Sequence, residues 1–403
     1  MLHSKIHSMK KVLNWVLAIF LVVLLGIWLF VDLPLLSPLG EGSFSQFLST
    51  FPHFKTQKIV YGFLPYWNLD EVVIQPELTH LAYFALSIGE DGEIATRAIG
   101  GGTEPGYYRL QSEELLTVLN QAKGYESETQ LVFTQFDNDT IESFLNSEAA
   151  QQVFIDELDA LLLAYPFGGI NIDIEYAGEA DVQLRENYTS FIALVSQHLD
   201  ETYEDIELTI DMYASAASKQ LLWEVEELGS LVDYIIVMAY DFHRSSSPNA
   251  GPVAPLFEKE ASWDESINGY LREFSKVVPT KKMLLGIPFY GYEWQTTSTE
   301  PESFTFPRTG AIASYGRVKE LLANKEELGI TEHWEENALA PYLSYSEGDE
   351  HYLVYYENPL SVAYKLEYVN QLDLAGIAIW SLGYEGNSRD LWNSIDQVLK
   401  IKN

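Results

Sequence analysis

The chain has 403 residues, of which 47% are hydrophobic and 13% aromatic, and it carries a formal charge of −35 with a pI near 4.4. A chain of this length can bury one large core or the cores of two ordinary domains. The acidity makes nucleic acid a poor partner, because phosphate binding needs Lys and Arg. The absence of cysteine excludes disulfides, thiolate metal sites and cysteine nucleophiles, and it is compatible with any compartment.

An uncharged apolar run, VLNWVLAIFLVVLLGIWLFV, occupies residues 12–31 and is long enough to cross a bilayer as a helix. Lys5, Lys10 and Lys11 precede it, so we expect residues 1–11 to be cytoplasmic, residues 12–31 to span the membrane and the catalytic domain after them to be extracytoplasmic. A cleaved signal peptide is the alternative, although the run exceeds a usual signal core and no A-x-A-like site follows it. Residues 32–57 mix Pro, Gly and Ser with isolated apolar residues, which is typical of a linker.

Beyond the linker, apolar strand-like runs alternate with amphipathic helix-like stretches through residues 58–400. Eight strands in this alternation predict an α/β fold, a closed parallel (β/α)8 TIM barrel. The predicted strands are 58–67, 78–88, 130–136, 169–176, 206–214, 232–242, 282–292 and 375–383. The gap before the last strand is about 80 residues long, too long for one helix and its loops, and predicts a small α+β insertion at about 295–358.

The stretch GINIDIE puts three polar residues, Asn171, Asp173 and Glu175, at alternate positions between isoleucines. Successive side chains of a strand point to opposite faces, so the three polar groups share one face. An antiparallel surface strand with its acids in water is one interpretation, but helix-like stretches flank this strand on both sides. In a parallel barrel the polar face looks inward, near the carboxyl end where barrel enzymes place their chemistry. A carboxyl taken out of water there has a raised pKa and can act as a general acid.

Two other strand ends place large side chains at the same rim of the barrel. Met238 and Tyr240 share a face in IIVMAYDFH, and Trp380 ends the last strand with a flat ring suited to stacking under a sugar. A doubly wound sheet is the competing fold, but the loop after the first strand reads LPYWNLD, without a glycine-rich phosphate loop. The chain also has no H-E-x-x-H pair and no G-x-S-x-G elbow, so metal and serine-hydrolase chemistry have no support. We expect no metal and no other cofactor.

With these motifs the chain resembles glycoside hydrolase family 18, the chitinase-like barrels, over about residues 58–399. The family signature DxxDxDxE aligns with GGINIDIE, its M-x-Y-D segment with MAYD (238–241), its seventh-strand segment with LLGIPFYGYEW (284–294) and its last-strand Trp with Trp380. The GINIDIE motif and the TQF of 134–136 bring the chain closer to the bacterial peptidoglycan-related and spore-germination branch than to secreted chitin degraders.

The resemblance implies a role for each matching residue. Glu175 would protonate the glycosidic oxygen, Asp173 would hold the substrate's 2-acetamido group, and Tyr240 would steady the acetamido carbonyl as it attacks the anomeric carbon. Asn171, Met238, Asp241 and Trp380 would bind the N-acetylglucosamine-containing glycan, which is the expected partner. Two signature acids are replaced, by Gly168 and Asn171. A catalytically silent glycan-binding protein is the alternative function, and lectin-like members of the family typically lose the acid that Glu175 provides.

Overall fold

The computed structural model describes residues 57–98 and 100–400. Within these ranges no helix combines the length and the apolar character needed to cross a bilayer. The predicted cytoplasmic segment 1–11, the predicted transmembrane run 12–31 and residues 32–56 of the predicted linker lie outside the described residues.

The described residues form thirteen strands and eleven α-helices. The strands are β1 (Ile59–Pro65), β2 (His80–Ser87), β3 (Glu128–Gln135), β4 (Gly169–Ile174), β5 (Glu207–Tyr213), β6 (Tyr234–Met238), β7 (Met283–Pro288), β8 (Tyr290–Thr296), β9 (Ala311–Ser314), β10 (Thr331–Glu335), β11 (Ala340–Glu347), β12 (Glu350–Tyr355) and β13 (Gly376–Trp380). The helices are α1 (Pro105–Leu110), α2 (Glu113–Gly124), α3 (Asn138–Leu145), α4 (Glu148–Ala164), α5 (Val182–Thr202), α6 (Val225–Leu231), α7 (Ile267–Phe274), α8 (Tyr315–Ala323), α9 (Lys325–Leu328), α10 (Pro359–Gln371) and α11 (Asp390–Leu399).

Strands β1 to β7 and β13 close into a parallel barrel, as predicted from the alternation of strands and helices. Neighbours in the chain pair with each other, and β13 lies between β7 and β1, where Gly376 pairs with Leu284 and with Ile59. The outward isoleucines of β4 pack under the helices in the main hydrophobic core. Helix N-termini are held by side-chain caps, for example Asp137 before α3 and Asp181 before α5.

The barrel interior has an apolar part and a polar part. Five strands send mainly apolar side chains inward, and Val132 of β3 joins the resulting cluster, which also contains Tyr61, Phe63, Ala82, Phe84, Ile236, Leu284 and Ala378. Strands β4 and β5 instead place Asn171, Asp173, Thr209 and Asp211 inside, all of them buried. Strand β3 adds Gln130, whose Oε1 accepts hydrogen bonds from Thr209 Oγ1 at 2.9 Å and from the Tyr61 hydroxyl at 2.8 Å. The buried acids therefore lie in a polar sector that β3, β4 and β5 share.

The insertion before β13 is a five-stranded antiparallel sheet in the order β10-β11-β12-β8-β9, with α8 and α9 attached. It begins at Tyr290, earlier than the predicted boundary near residue 295, because β7 ends at Pro288 and the following residues join the new sheet as β8. The chain returns through α10, where Lys365 Nζ lies 2.9 and 2.8 Å from the two carboxylate oxygens of Glu357. Both side chains of this ion pair are at most 1% exposed.

Candidate active site

The polar faces of β4 and β5 meet inside the barrel in register. Asn171 pairs with Thr209 and Ile172 with Ile210, so the next residues along the two strands, Asp173 and Asp211, follow at the same level. The same alternation continues one layer higher, with Glu175 after β4 and Tyr213 at the end of β5. Two neighbouring strands therefore stack an amide and a hydroxyl, then two carboxyls, then a carboxyl and a phenol.

Asp173 and Asp211 are buried, at 3% and 2% exposure, and neither has a basic partner among its hydrogen bonds in the described residues. Asn171 lies below them and donates through Nδ2 to Asp211 Oδ1 at 3.0 Å and to Thr209 Oγ1 at 2.9 Å. Burial raises the pKa of Asp173 well above its ordinary value, and the charges of Asp211 and Glu175 raise it further. Burial likewise raises the pKa of Asp211, against the hydrogen bond from Asn171.

Glu175 is half-buried and faces the open end of the barrel. Burial raises the pKa of its carboxyl, while the Tyr213 hydroxyl and the Arg244 guanidinium act in the opposite direction. Tyr213 is itself affected, because burial and the nearby Glu175 raise the pKa of its phenol. A carboxyl in these surroundings keeps its proton to higher pH than an exposed glutamate and can deliver it to a bound molecule.

The end of β6 and the loop after it bring three more predicted residues to the same place. Met238 and Tyr240 face the site, and Asp241 adopts a left-handed backbone conformation with φ of 61°. Asp241 Oδ1 accepts hydrogen bonds from the hydroxyls of Tyr290 and Tyr292, the second at 3.0 Å. Because both tyrosines lie at the start of β8, the insertion fixes the carboxylate of Asp241 at the cavity wall.

Trp380 forms the aromatic side of the site. Its ring meets Phe84 edge-on, with the ring centroids 4.7 Å apart, and lies 5.7 Å from the ring of Phe63. Trp67 extends this group outward and is 47% exposed, and Phe136, at the end of β3, is 50% exposed. Flat rings half open to solvent suit the apolar faces of sugar rings.

These side chains enclose a cavity of about 350 Å³ at the carboxyl end of the barrel. Six of the seven predicted residues line it: Asp173, Glu175, Met238, Tyr240, Asp241 and Trp380. Asn171 is fully buried beneath the two aspartates and does not line the cavity, and its role in binding the substrate stays a prediction. Its side-chain amide donates a hydrogen bond to Asp211.

Seven lining residues were absent from the sequence prediction: Trp67, Phe84, Phe136, Asp211, Tyr213, Arg244 and Tyr290. The sequence contains a signal for two of them, because Thr209, Asp211 and Tyr213 alternate with Leu208, Ile210 and Met212 just as the polar residues of β4 alternate with isoleucine. Arg244 lies on an irregular loop and carries no such pattern. In the part of the chain that the structure describes, no three His, Asp or Glu side chains are grouped so as to hold a metal ion.

Comparison with known proteins adds a family and several relatives. The profile of glycosyl hydrolases family 18 matches residues 46–385. The class V chitinase of Arabidopsis thaliana is 26% identical over 262 residues, which cover 61% of this chain and 66% of that protein. The cortical fragment-lytic enzyme of Bacillus anthracis is 25% identical over 325 residues, covering 77% of this chain and 66% of that protein. The match thus spans about two thirds of the length of each of these relatives.

The fold has solved counterparts as well. The crystal structure of the Ostrinia furnacalis group IV chitinase in complex with allosamidin superposes with a TM-score of 0.72 at 23% identity, covering 85% of this chain and 99% of that one. The family profile matches most of the chain and includes every residue that lines the cavity. The chain is therefore a glycosidase that belongs to glycosyl hydrolases family 18.

Proposed function

We propose that this glycosidase cleaves β-1,4 bonds beside N-acetylglucosamine, in chitin oligomers or cell-wall glycan, by substrate-assisted catalysis with retention of configuration. The observation that carries the proposal is the placement of Asp173 on β4 and Glu175 directly after it, two residues apart and both lining the cavity that Tyr240 and Trp380 complete. The chitinase and the cortical fragment-lytic enzyme among its relatives support a glycan substrate.

Glu175 is the general acid in this mechanism. Burial raises the pKa of its carboxyl, so the protonated form persists above the range in which an exposed glutamate ionises. The half-buried side chain reaches the cavity, where the glycosidic oxygen of a bound glycan would take its proton. The negative charge left on Glu175 then meets the Tyr213 hydroxyl and Arg244, which both favour the ionised form.

Asp173 cannot serve as the nucleophile of a two-carboxylate mechanism. Alternate residues of one strand are about 7 Å apart at their Cα atoms, since the rise is ~3.3 Å per residue, and their side chains point the same way. They reach one side of the sugar, whereas a nucleophile must attack the anomeric carbon from the side opposite the acid. The substrate's own 2-acetamido oxygen attacks instead, with Asp173 holding the acetamido N–H, Tyr240 steadying the carbonyl and Trp380 stacking under the ring.

The proposal includes a place for the enzyme. Residues 12–31 would anchor the chain in the membrane with residues 1–11 in the cytoplasm, because the uncharged run follows Lys5, Lys10 and Lys11. The full-length protein should stay in the membrane fraction through an alkaline wash, and external protease should degrade its catalytic domain. Release of a shortened protein into the medium would instead indicate a cleaved signal peptide.

Replacement of Glu175 tests the proposed reaction most directly. Glu175→Gln should lower the turnover of N-acetylglucosamine oligomers by about 10²- to 10⁴-fold while leaving their affinity similar, because the amide keeps the shape but has no proton to give. Asp173→Asn and Tyr240→Phe should lose less. Glu179→Gln, in the exposed loop that follows, is the matched control and should retain full activity.

The substrate and product complete the test. Glycans with hydroxyl in place of the 2-acetamido group should be inert, and the first product should keep the anomeric configuration of the substrate by NMR. Undiminished hydrolysis by Glu175→Gln, or an inverted product from the wild type, would contradict the mechanism. If the wild type bound chitin oligomers or cell-wall glycan tightly but hydrolysed neither of them, the glycan-binding alternative would be favoured.

A further inference from the structure

Asp211 is a buried acid at the centre of the site that the mechanism above does not use. Its side chain is 2% exposed at the cavity floor, and its Oδ1 accepts a hydrogen bond of 3.0 Å from Asn171 Nδ2. The strand register puts it beside Asp173, one step beyond the pair Ile172 and Ile210. The family signature has an acid at the position of Asn171, so a carboxyl missing from β4 is matched by one present on β5.

The two aspartates have unequal hydrogen bonding. Asp211 has a fixed amide donor, whereas Asp173 Oδ1 and Asn171 Oδ1 are both buried without a hydrogen-bond partner among the described residues. A donor favours the ionised form of Asp211, and the lack of one favours the protonated form of Asp173. A proton on Asp173 would also supply the donor that this group of buried acceptors otherwise lacks.

Two neighbouring buried carboxylates cannot both ionise cheaply. Each charge loses its hydration when it is buried, and the two charges also repel each other. Of the charged neighbours that raise the pKa of Asp173, Asp211 has the largest influence. Coupled acids of this kind hold one proton between them over a wide pH range.

We propose that Asp211 is a positioning residue that shares a single proton with Asp173, so that Asp173 can ionise towards the substrate without a second negative charge in the site. In the empty site the proton lies on Asp173 and Asp211 is ionised. When the substrate N–H arrives, the proton passes from an Asp173 oxygen to an Asp211 oxygen, Asp173 becomes the carboxylate that holds the acetamido group, and the charge of the pair stays at −1. This inference rests on the proposed function of the site.

Several other titratable or charged side chains influence the ionisation of Asp173 and Asp211, so the test variants leave them unchanged. The titratable and charged groups around Asp211 are Glu175 beyond β4, Tyr213 on its own strand, Tyr240, Asp241 and Arg244 after β6, Tyr61 on β1 and Tyr188 on α5. Only Arg244 among them is basic, and it lies at the open rim with its side chain 61% exposed. The proton therefore stays within the pair of aspartates unless it leaves for solvent.

Infrared titration of the full-length chain, labelled with ¹³C-carboxyl aspartate, tests the pair without any substrate. The wild type should show a protonated aspartate band that persists to neutral pH. In Asp211→Asn the band should disappear at least one pH unit lower, because Asp173 no longer has a like charge beside it. Asp173→Asn should have the same effect through Asp211. The exchange variant Asn171→Asp/Asp211→Asn restores one carboxyl next to Asp173 and should return the band to neutral pH.

Turnover gives the second measurement. The acidic limb of kcat/KM against pH should move to higher pH in Asp211→Asn, because Asp173 can then ionise only by losing its proton to solvent. It should move back towards the wild-type position in the exchange variant, whereas a residue that only supports the fold would lower the rate without moving the limb. The shared proton would be overturned if the wild type showed no protonated aspartate band, or if the band of Asp173→Asn or Asp211→Asn titrated at the same pH as that of the wild type. Should Asp211→Asn fail to fold, the comparison of the wild type with Asp173→Asn is sufficient to decide. Bands that shift as expected in a protein that hydrolyses no glycan would refute the proposed function and leave the pair standing.

Discussion

Gly286, on β7, lies directly behind the ring of Tyr240, and a methyl group there tests the position that the mechanism gives to this tyrosine. A Cβ at residue 286 would lie 2.7 Å from the carbonyl oxygen of Val237, 2.8 Å from Cε1 of Tyr240 and 3.2 Å from the backbone nitrogen of Ala239. Two of these distances are too short for real contacts. Because one of the two atoms belongs to the backbone of β6, the strand end itself must move together with the ring.

The size of the effect follows from those contacts. Adding a methyl group to a filled interior costs about 1–3 kcal/mol of stability. A shift of about 1 Å at a reacting group can lower the rate by about 10²-fold. We therefore expect Gly286→Ala to lose about 1–3 kcal/mol of stability in urea unfolding. Its kcat/KM on N-acetylglucosamine oligomers should fall at least as far as that of Tyr240→Phe, which removes the hydroxyl but leaves the ring in place.

Gly316→Ala is the matched control, because a Cβ there would have its nearest neighbours at 3.6 and 3.7 Å, which are ordinary contacts. That variant should keep its activity, and its stability should stay within about 0.5 kcal/mol of the wild type or rise slightly. Full activity and unchanged stability of Gly286→Ala would refute the reasoning, since the structure leaves no room for the methyl group without moving Tyr240 or β6.

Three further predictions concern stability, pH and substrate charge. Lys365→Met should lower the free energy of unfolding in urea by about 3–5 kcal/mol, because it leaves Glu357 buried without its ion-pair partner. The control Lys276→Met breaks an exposed ion pair with Glu273 and should lower it by less than about 1 kcal/mol. Tyr213→Phe removes a donor that lowers the pKa of Glu175, so the pKa should rise and the basic limb of kcat/KM should move to higher pH. An unmoved limb would mean that this phenol does not act on the acid. Neutral N-acetylglucosamine oligomers should be cleaved at low salt at least as well as carboxylate-bearing cell-wall fragments, because the lining has four carboxyl groups and one arginine, and added salt should narrow any difference.

The barrel and most of the site could be predicted from local patterns. Eight apolar runs in alternation with helical stretches are enough to predict the closed sheet, and the period of two in GINIDIE is enough to put Asp173 and Glu175 on its inner face. The ends of different strands meet at one rim of a barrel, so Tyr240, Asp241 and Trp380 could be expected near these acids before any contact was known.

The start of the insertion could not be predicted, because the sequence shows no break there. Strand-like residues continue through Pro288, Phe289 and Tyr290, and both β7 and β8 are extended and buried. The change of sheet depends on tertiary hydrogen bonds: Phe289 donates its N–H to the carbonyl of Trp380 at 2.8 Å, while β8 pairs with β12, some sixty residues further along the chain. Local periodicity does not contain such partners.

Asn171 and Asp211 show the same limit inside the site. A sequence motif on β4 does not indicate that β5 supplies a second acid, although the strand register places Asp173 and Asp211 side by side. The pair should therefore behave as a unit. Asn171→Asp alone places a third carboxyl beside Asp173 and Asp211, so the last proton of this group should leave at higher pH. Asp211→Asn alone leaves Asp173 without a like charge beside it, so its proton should leave at lower pH. Only the exchange of both keeps one amide and one carboxyl next to Asp173, so it alone should preserve the pH range in which the enzyme works.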